Sequence, residues 1–112
     1  MECIFCKIIA GEIPSAKIFE NDKILAFNDV NPQAPVHILV IPKEHIVSAD
    51  EINGENAPVV GEIFKNIPQI AAGAGLEDGY RVITNVGENG CQSVKHMHFH
   101  VLGGKKLAEK MC

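Results

Sequence analysis

Residues 96–102, His96-Met97-His98-Phe99-His100-Val101-Leu102, alternate imidazole with apolar side chains from His96 to Val101. In an extended strand, residues two apart share a face. The three imidazoles then point one way, and Met97, Phe99 and Val101 point into a core. A helix would scatter the same histidines around its circumference. The pattern therefore predicts a strand over 95–102, with its apolar face packed and its histidine face left open.

The rest of the chain supplies a sheet for that strand. Short apolar runs at Lys17–Glu20 and Ile24–Asn28, split by Asn21-Asp22-Lys23, read as a hairpin. Residues 37–41 read as a strand rich in β-branched side chains (Ile38, Val40, Ile41) and stopped by Pro42, and 80–85 form a further strand before the polar loop 86–94. Two prolines make 31–35 a loop; 43–52 reads as a short helical or irregular crossing, and 5–10 as a helical turn stopped by Gly11 and Pro14. One long helix is predicted over 57–72. Pro58 suits its first turn, and Val59, Val60, Ile63, Phe64, Ile67, Ile70 and Ala71 form its apolar face. Pro68 should kink or interrupt it, and Gly73 and Gly75 end it. The expected class is α+β: an antiparallel sheet of about five strands with one main helix on a face. At 112 residues, one domain spanning 1–112 is expected.

Three histidines on one face have two chemical uses. Imidazole is a common zinc ligand. However, the α-carbons of His96 and His100 would lie roughly 13 Å apart at ~3.3 Å per residue, too far to share one ion easily. The alternative is catalysis by His96, His98 and His100, because imidazole is a competent nucleophile that forms covalent intermediates. Asn85, Gly87, Gly90, Gln92 and Ser93, just upstream, are neutral donors and flexible glycines suited to a phosphate.

A net charge of −4 argues against broad nucleic-acid binding, which needs a basic face, but not against a small anionic ligand. No run reaches the roughly 18 apolar residues of a membrane helix. The acidic start Met1-Glu2-Cys3-Ile4-Phe5-Cys6 lacks the basic region of a signal peptide. A cytoplasmic protein without membrane partners is expected, and in that compartment the four cysteines are not a disulfide framework. Cys3 and Cys6 are spaced as a metal-ligand pair, whereas Cys91 and Cys112 stand alone.

The segment from Gln92 to Gly104, which reads QSVKHMHFHVLGG, resembles the signature of the histidine-triad (HIT) superfamily, nearest its Hint branch. The resemblance extends to Cys3-Ile4-Phe5-Cys6-Lys7-Ile8-Ile9, to Ala26–Pro35 (AFNDVNPQAP), and to His37–His45 (HILVIPKEH). It implies a purine nucleoside phosphoramidase that cleaves a P–N bond and releases a nucleoside monophosphate. By this resemblance His98 attacks the α-phosphorus and becomes transiently nucleotidylated. His100, Asn85, Gln92 and Ser93 hold phosphate oxygens, and His37 completes the network. Asp29 takes the ribose hydroxyls, and Ile18, Phe19, Phe27 and Val30 line the base pocket. The bacterial members it resembles bind a structural zinc through Cys3, Cys6, His45 and His96, with no cofactor needed for the chemistry. The family also implies a homodimer with a ten-stranded sheet. Two rivals share these residues: a dinucleoside polyphosphate hydrolase, and a nucleotide-sensing or partner-binding protein with vestigial hydrolysis. A zinc-storage protein is a third. Two departures stand out. Cys91 occupies a position where Hint relatives usually have glycine, and Lys105–Cys112 lacks the tryptophan-containing tail of animal relatives. The second departure leaves the leaving-group preference open.

Overall fold

A computed structural model describes residues 3–110. The elements are α1 (Ile4–Ile9), β1 (Lys17–Glu20), β2 (Ile24–Asn28), β3 (Val36–Pro42), a 3₁₀ turn (Ala49–Glu51), α2 (Ala57–Gly73), β4 (Tyr80–Ile83) and β5 (Phe99–Gly103). Among the described residues the strands form one five-stranded antiparallel sheet in the order β1-β2-β3-β5-β4. Asn21 closes the first hairpin. Its Oδ1 accepts from the backbone N–H groups of Lys23 and Ile24, at 2.8 and 3.0 Å, and its Nδ2 donates to Glu62 on α2.

Both faces of the sheet are covered. On one, α2 packs Val59, Ile63, Ile67, Ile70 and Ala71 against Ile24, Ala26, Ile38, Val40, Phe99 and Val101. On the other, α1 lays Phe5 and Ile8 over Leu25, Phe27, Leu39 and Ile41. The sequence reading assigned only the first of these layers. Helix α2 also continues through Pro68, where a kink or an interruption was expected. The proline removes one backbone bond, at a cost of about 3 kcal/mol. Buried Ile63 and Ile67 before it, and Ile70 and Ala71 after it, hold both halves on the sheet. The helix ends at Gly73, and Gly75 (φ +79°) turns the chain just beyond its cap, with the N–H groups of Gly75 and Leu76 returning to the carbonyls of Ala72 and Ala71.

The last two strands are shorter than predicted. β4 stops at Ile83 rather than Asn85, and β5 begins at Phe99 rather than Lys95. Beyond that point the pairing changes partners. The Thr84 hydroxyl donates to the His98 carbonyl at 2.8 Å, and the Met97 N–H donates to the Ile46 carbonyl at 2.6 Å. The alternation survives the loss of regular ladder, since Met97, Phe99 and Val101 all lie in the α2-side core.

The histidine face is not open, contrary to the sequence expectation. His96 is fully buried and His98 is 3% exposed, because α1 folds over them. The Phe5 ring meets both imidazoles edge-on, at centroid distances of 5.8 and 5.1 Å. Only His100 stays half-buried at the edge of this cover. Cys112, read from sequence as an isolated cysteine, lies outside the described residues, as do Met1, Glu2 and Met111.

Candidate active site

The register of β3 against β5 pairs His37 with Leu102 and Leu39 with His100, which sets the two histidines diagonally on one face. Their hydrogen bonds fix each tautomer. The Gln33 backbone N–H donates to His37 Nδ1 at 3.0 Å, so that nitrogen carries a lone pair and Nε2 carries the proton. His37 Nε2 then donates to His100 Nδ1 at 2.8 Å. This leaves the proton of His100 on Nε2, as a donor. Asp29 Oδ2 lies 3.4 Å from His37 Nε2, and its other oxygen accepts from the Asn31 N–H at 2.8 Å. Burial lowers the His37 and His100 pKa values, with neighbouring His98 adding to the effect and Asp29 opposing it; His100 is pushed down to about 4. Both rings are therefore neutral near pH 7, as the hydrogen-bond chain requires.

His98 has a different anchor. Its Nδ1 lies 2.7 Å from the His96 carbonyl, which can only accept, so Nδ1 carries the proton and the lone pair sits on Nε2. The His98 and His100 rings stand 5.0 Å apart, centroid to centroid.

Cys3, Cys6, His45 and His96 converge at the other end of this row. Cys3 Sγ and Cys6 Sγ lie 3.4 and 3.6 Å from His96 Nδ1, Cys6 Sγ lies 3.2 Å from His45 Nδ1, and the two Nδ1 atoms are 3.1 Å apart. A tetrahedral ion with bonds of about 2.0 Å to nitrogen and 2.3 Å to sulfur has edges close to these. His96 Nε2 donates to the Pro42 carbonyl at 2.9 Å, which aims the Nδ1 lone pair into the cluster. The Cys6 N–H donates to Cys3 Sγ at 3.3 Å. Burial, with Cys3 adjoining, pushes the Cys6 thiol up to about 11, the direction that a bound cation reverses. These four residues fit a metal ion. His96 belongs to this group and His100 does not, in keeping with the argument that the two would not easily share one ion.

Asp29, His37 and His100 form a second close group, with ligand atoms within 4.8 Å of one another. It fits a metal poorly. An ion on His37 Nε2 would move the proton to Nδ1, against the Gln33 N–H that now donates there.

The remaining predicted residues separate. Asn85 lines a cavity of about 440 Å³ together with His37, His100 and Cys91, and its Nδ2 donates to the Gly90 carbonyl at 2.7 Å. The Gln92 side-chain amide is occupied by backbone. Its Nε2 donates to the carbonyls of Val47 and Val94, and its Oε1 accepts from the Gly87 N–H. Ser93 is exposed and lines a different cavity, beside Cys3 and His45. Phe27 packs edge-on to Phe5, whereas Phe19 belongs to the opposite, α2-side core. Ile18 and Val30 are exposed.

Cys91 has φ +61°, a left-handed conformation that explains the preference for glycine there. Gly90 admits no side chain, since a Cβ would sit 2.4 Å from the Val86 carbonyl oxygen. The sequence reading missed Phe5, Gln33 and Thr84 as supports of the histidines. Gln33 acts through its backbone, so its residue type carried no signal.

The fold and the site define an α+β protein whose histidine row runs from a Cys/His cluster that fits a metal ion to a cavity lined by His37 and His100. The family model described as "Scavenger mRNA decapping enzyme C-term binding" matches residues 2–111. The 14 kDa zinc-binding protein of Zea mays is 46% identical over 106 residues, covering 93% of this chain and 83% of that protein. Adenylylsulfatase HINT1 of Arabidopsis thaliana is 42% identical over 106 residues, covering 93% of this chain and 72% of that protein. The solved structure of a histidine triad protein from Clostridium difficile superposes with a TM-score of 0.93 at 50% identity, covering 99% of this chain and 100% of that chain. The chain belongs to the histidine-triad (HIT) family. Among the described residues, no helix is long and apolar enough to cross a membrane.

Proposed function

We propose that the chain is a purine nucleoside phosphoramidase, which cleaves a P–N bond through a nucleotidyl intermediate on His98. The observation that carries this reading is the His98 tautomer: Nδ1 is committed to the His96 carbonyl at 2.7 Å, leaving the Nε2 lone pair for phosphorus. As the Nε2–P bond forms, the P–N bond breaks and the amine leaves with a proton from solvent. The imidazolium so created is stabilised by the His96 carbonyl dipole. His100, held as a neutral Nε2–H donor by His37, faces the phosphate oxygens, and Asn85 supports them from the adjoining loop. Asp29 accepts from the ribose hydroxyls. Water then attacks phosphorus and returns the lone pair to Nε2, releasing the monophosphate.

Cys3, Cys6, His45 and His96 hold a zinc ion in this reading. A closed four-ligand site contributes folding energy and no open coordination position. A reducing cytoplasmic setting keeps the two thiols free. The edge strand β4, together with exposed Phe64 on α2 and Tyr80 on β4, supports pairing of two copies into a homodimer.

The test is release of monophosphate from an adenosine 5′-phosphoramidate by the wild type and by His98→Ala. Release that vanishes in a folded variant supports the reading. Nucleotide binding without turnover by either protein would replace it with a nucleotide sensor.

A further inference from the structure

Asparagine precedes glycine twice in the chain, at Asn53-Gly54 and at Asn89-Gly90. Such steps are chemically labile, because glycine has no side chain to shield its nitrogen from the neighbouring asparagine carbonyl. Both asparagines are exposed, and neither glycine N–H makes a backbone hydrogen bond among the described residues. Their side chains differ. Asn53 Oδ1 accepts from the N–H groups of Glu55 and Asn56 at 2.8 and 3.0 Å, and Asn56 Oδ1 accepts from the Asn53 N–H at 2.7 Å. The Asn53 carbonyl is thereby pinned, as happens where asparagine closes its own turn. The Asn89 side chain has no hydrogen bond among the described residues, so it is free to rotate onto the Gly90 nitrogen.

The backbone after Asn89 is held tightly. The Gly90 carbonyl accepts from Asn85 Nδ2 at 2.7 Å. The Cys91 N–H donates to the Glu88 carbonyl and the Gln92 N–H to the Gly87 carbonyl, each at 3.0 Å. The first of these bonds spans Asn89 and Gly90, which fixes the length of main chain between its ends. Cys91 sits in the left-handed region at φ +61°, and a Cβ on Gly90 would lie 2.4 Å from the Val86 carbonyl oxygen. A turn already strained and crowded in this way has no slack for an extra main-chain atom.

We propose that Asn89 is a spontaneous modification site, which converts to isoaspartate and so releases Asn85 from the Gly90 carbonyl. The Gly90 nitrogen attacks Asn89 Cγ and loses its proton. The Cγ–Nδ2 bond breaks, ammonia carries that proton away, and a five-membered succinimide remains. Water then adds to one of the two ring carbonyls and breaks its bond to the ring nitrogen. Opening at the side-chain carbonyl gives aspartate. Opening at the main-chain carbonyl gives isoaspartate, whose main chain is one carbon longer. Only water is consumed. Because Asn85 lines the cavity shared by His37 and His100, the longer chain at residue 89 reaches the candidate site.

The test ages the wild-type full chain at mildly alkaline pH and maps its tryptic peptides by mass spectrometry, with enzymatic methylation to mark isoaspartyl carboxylates. Conversion at Asn89 is expected to outpace that at Asn53 by roughly tenfold, the scale of the one or two hydrogen bonds that Asn53 must first give up. In the separated isoaspartyl fraction, the Asn85 side-chain amide protons, followed by NMR, should lose their hydrogen-bonded shift and exchange faster with solvent. The Asn89→Asp variant, which has the new charge without the extra carbon, should keep them as in fresh protein. Conversion at Asn89 no faster than at Asn53 overturns the inference. So does an isoaspartyl fraction with an unshifted Asn85 amide, or a loss that Asn89→Asp reproduces in full. None of these readouts depends on turnover, so the phosphoramidase reading stands or falls separately.

Discussion

His96 and His98 are joined by a hydrogen bond of 2.7 Å from the His98 ring to the His96 carbonyl, while the His96 ring itself lies within the Cys3–Cys6–His45 cluster. The backbone atom that sets the tautomer of the proposed nucleophile thus belongs to a residue of the candidate metal cluster. Removing the metal, or one thiol, is expected to loosen that carbonyl. Cys6→Ser should bind less than one zinc per chain, melt earlier, and lose kcat beyond what its lower stability explains at a temperature where it remains folded. Metal analysis, thermal melting and turnover on one preparation check this. Unchanged kcat in a zinc-free, folded variant would mean that the cluster does not position His98.

His98→Ala should abolish turnover, with a loss of at least ~10³ if the covalent route provides the rate. Nucleotide binding should persist, since Asp29 and His100 remain. A mass increase equal to one nucleotidyl group on wild-type chain quenched during turnover, and none on the variant, identifies the residue. Full activity in the variant would mean that another group attacks phosphorus.

Thr84 holds His98 from the other side, its hydroxyl donating to the His98 carbonyl at 2.8 Å. Thr84→Val keeps the shape and removes that donor. It should lower kcat severalfold, on the scale of about 1 kcal/mol for one hydrogen bond, with little change in KM. Thr84→Ser should restore the rate. A change in KM alone, or no rescue by serine, would make Thr84 a packing residue rather than a positioning one.

Much of this arrangement was legible in the sequence. The strict alternation assigned Met97, Phe99 and Val101 to one core, and it remained correct where regular pairing ended before Phe99. The spacing of Cys3 and Cys6 suggested a metal-ligand pair, and the fold brings both beside His45 and His96, which the family resemblance alone had named. What stayed hidden depends on long-range contact. A six-residue helix far away in sequence covers His96 and His98 with Phe5, and no periodicity within 96–102 records that cover. Similarly, Gln92 reads as a phosphate donor by type, but its amide is taken up by the carbonyls of Val47 and Val94. Phe19 reads as a pocket aromatic, but its register opposite Ala26 turns it to the α2 face.

Burial of His37 and His100 has a signed consequence for pH. Folded His100 titrates near 4 against an ordinary value of 6.5, and His37 is shifted in the same direction. Between those values the unfolded chain binds more protons than the folded one, so stability rises with pH across that window. The contribution is complete above the ordinary histidine value and is lost as pH falls toward about 4. The thermal midpoint should therefore drop between about pH 7 and pH 5, and His100→Asn should flatten that dependence. A midpoint that falls as steeply in His100→Asn as in the wild type would assign the acid sensitivity to other groups.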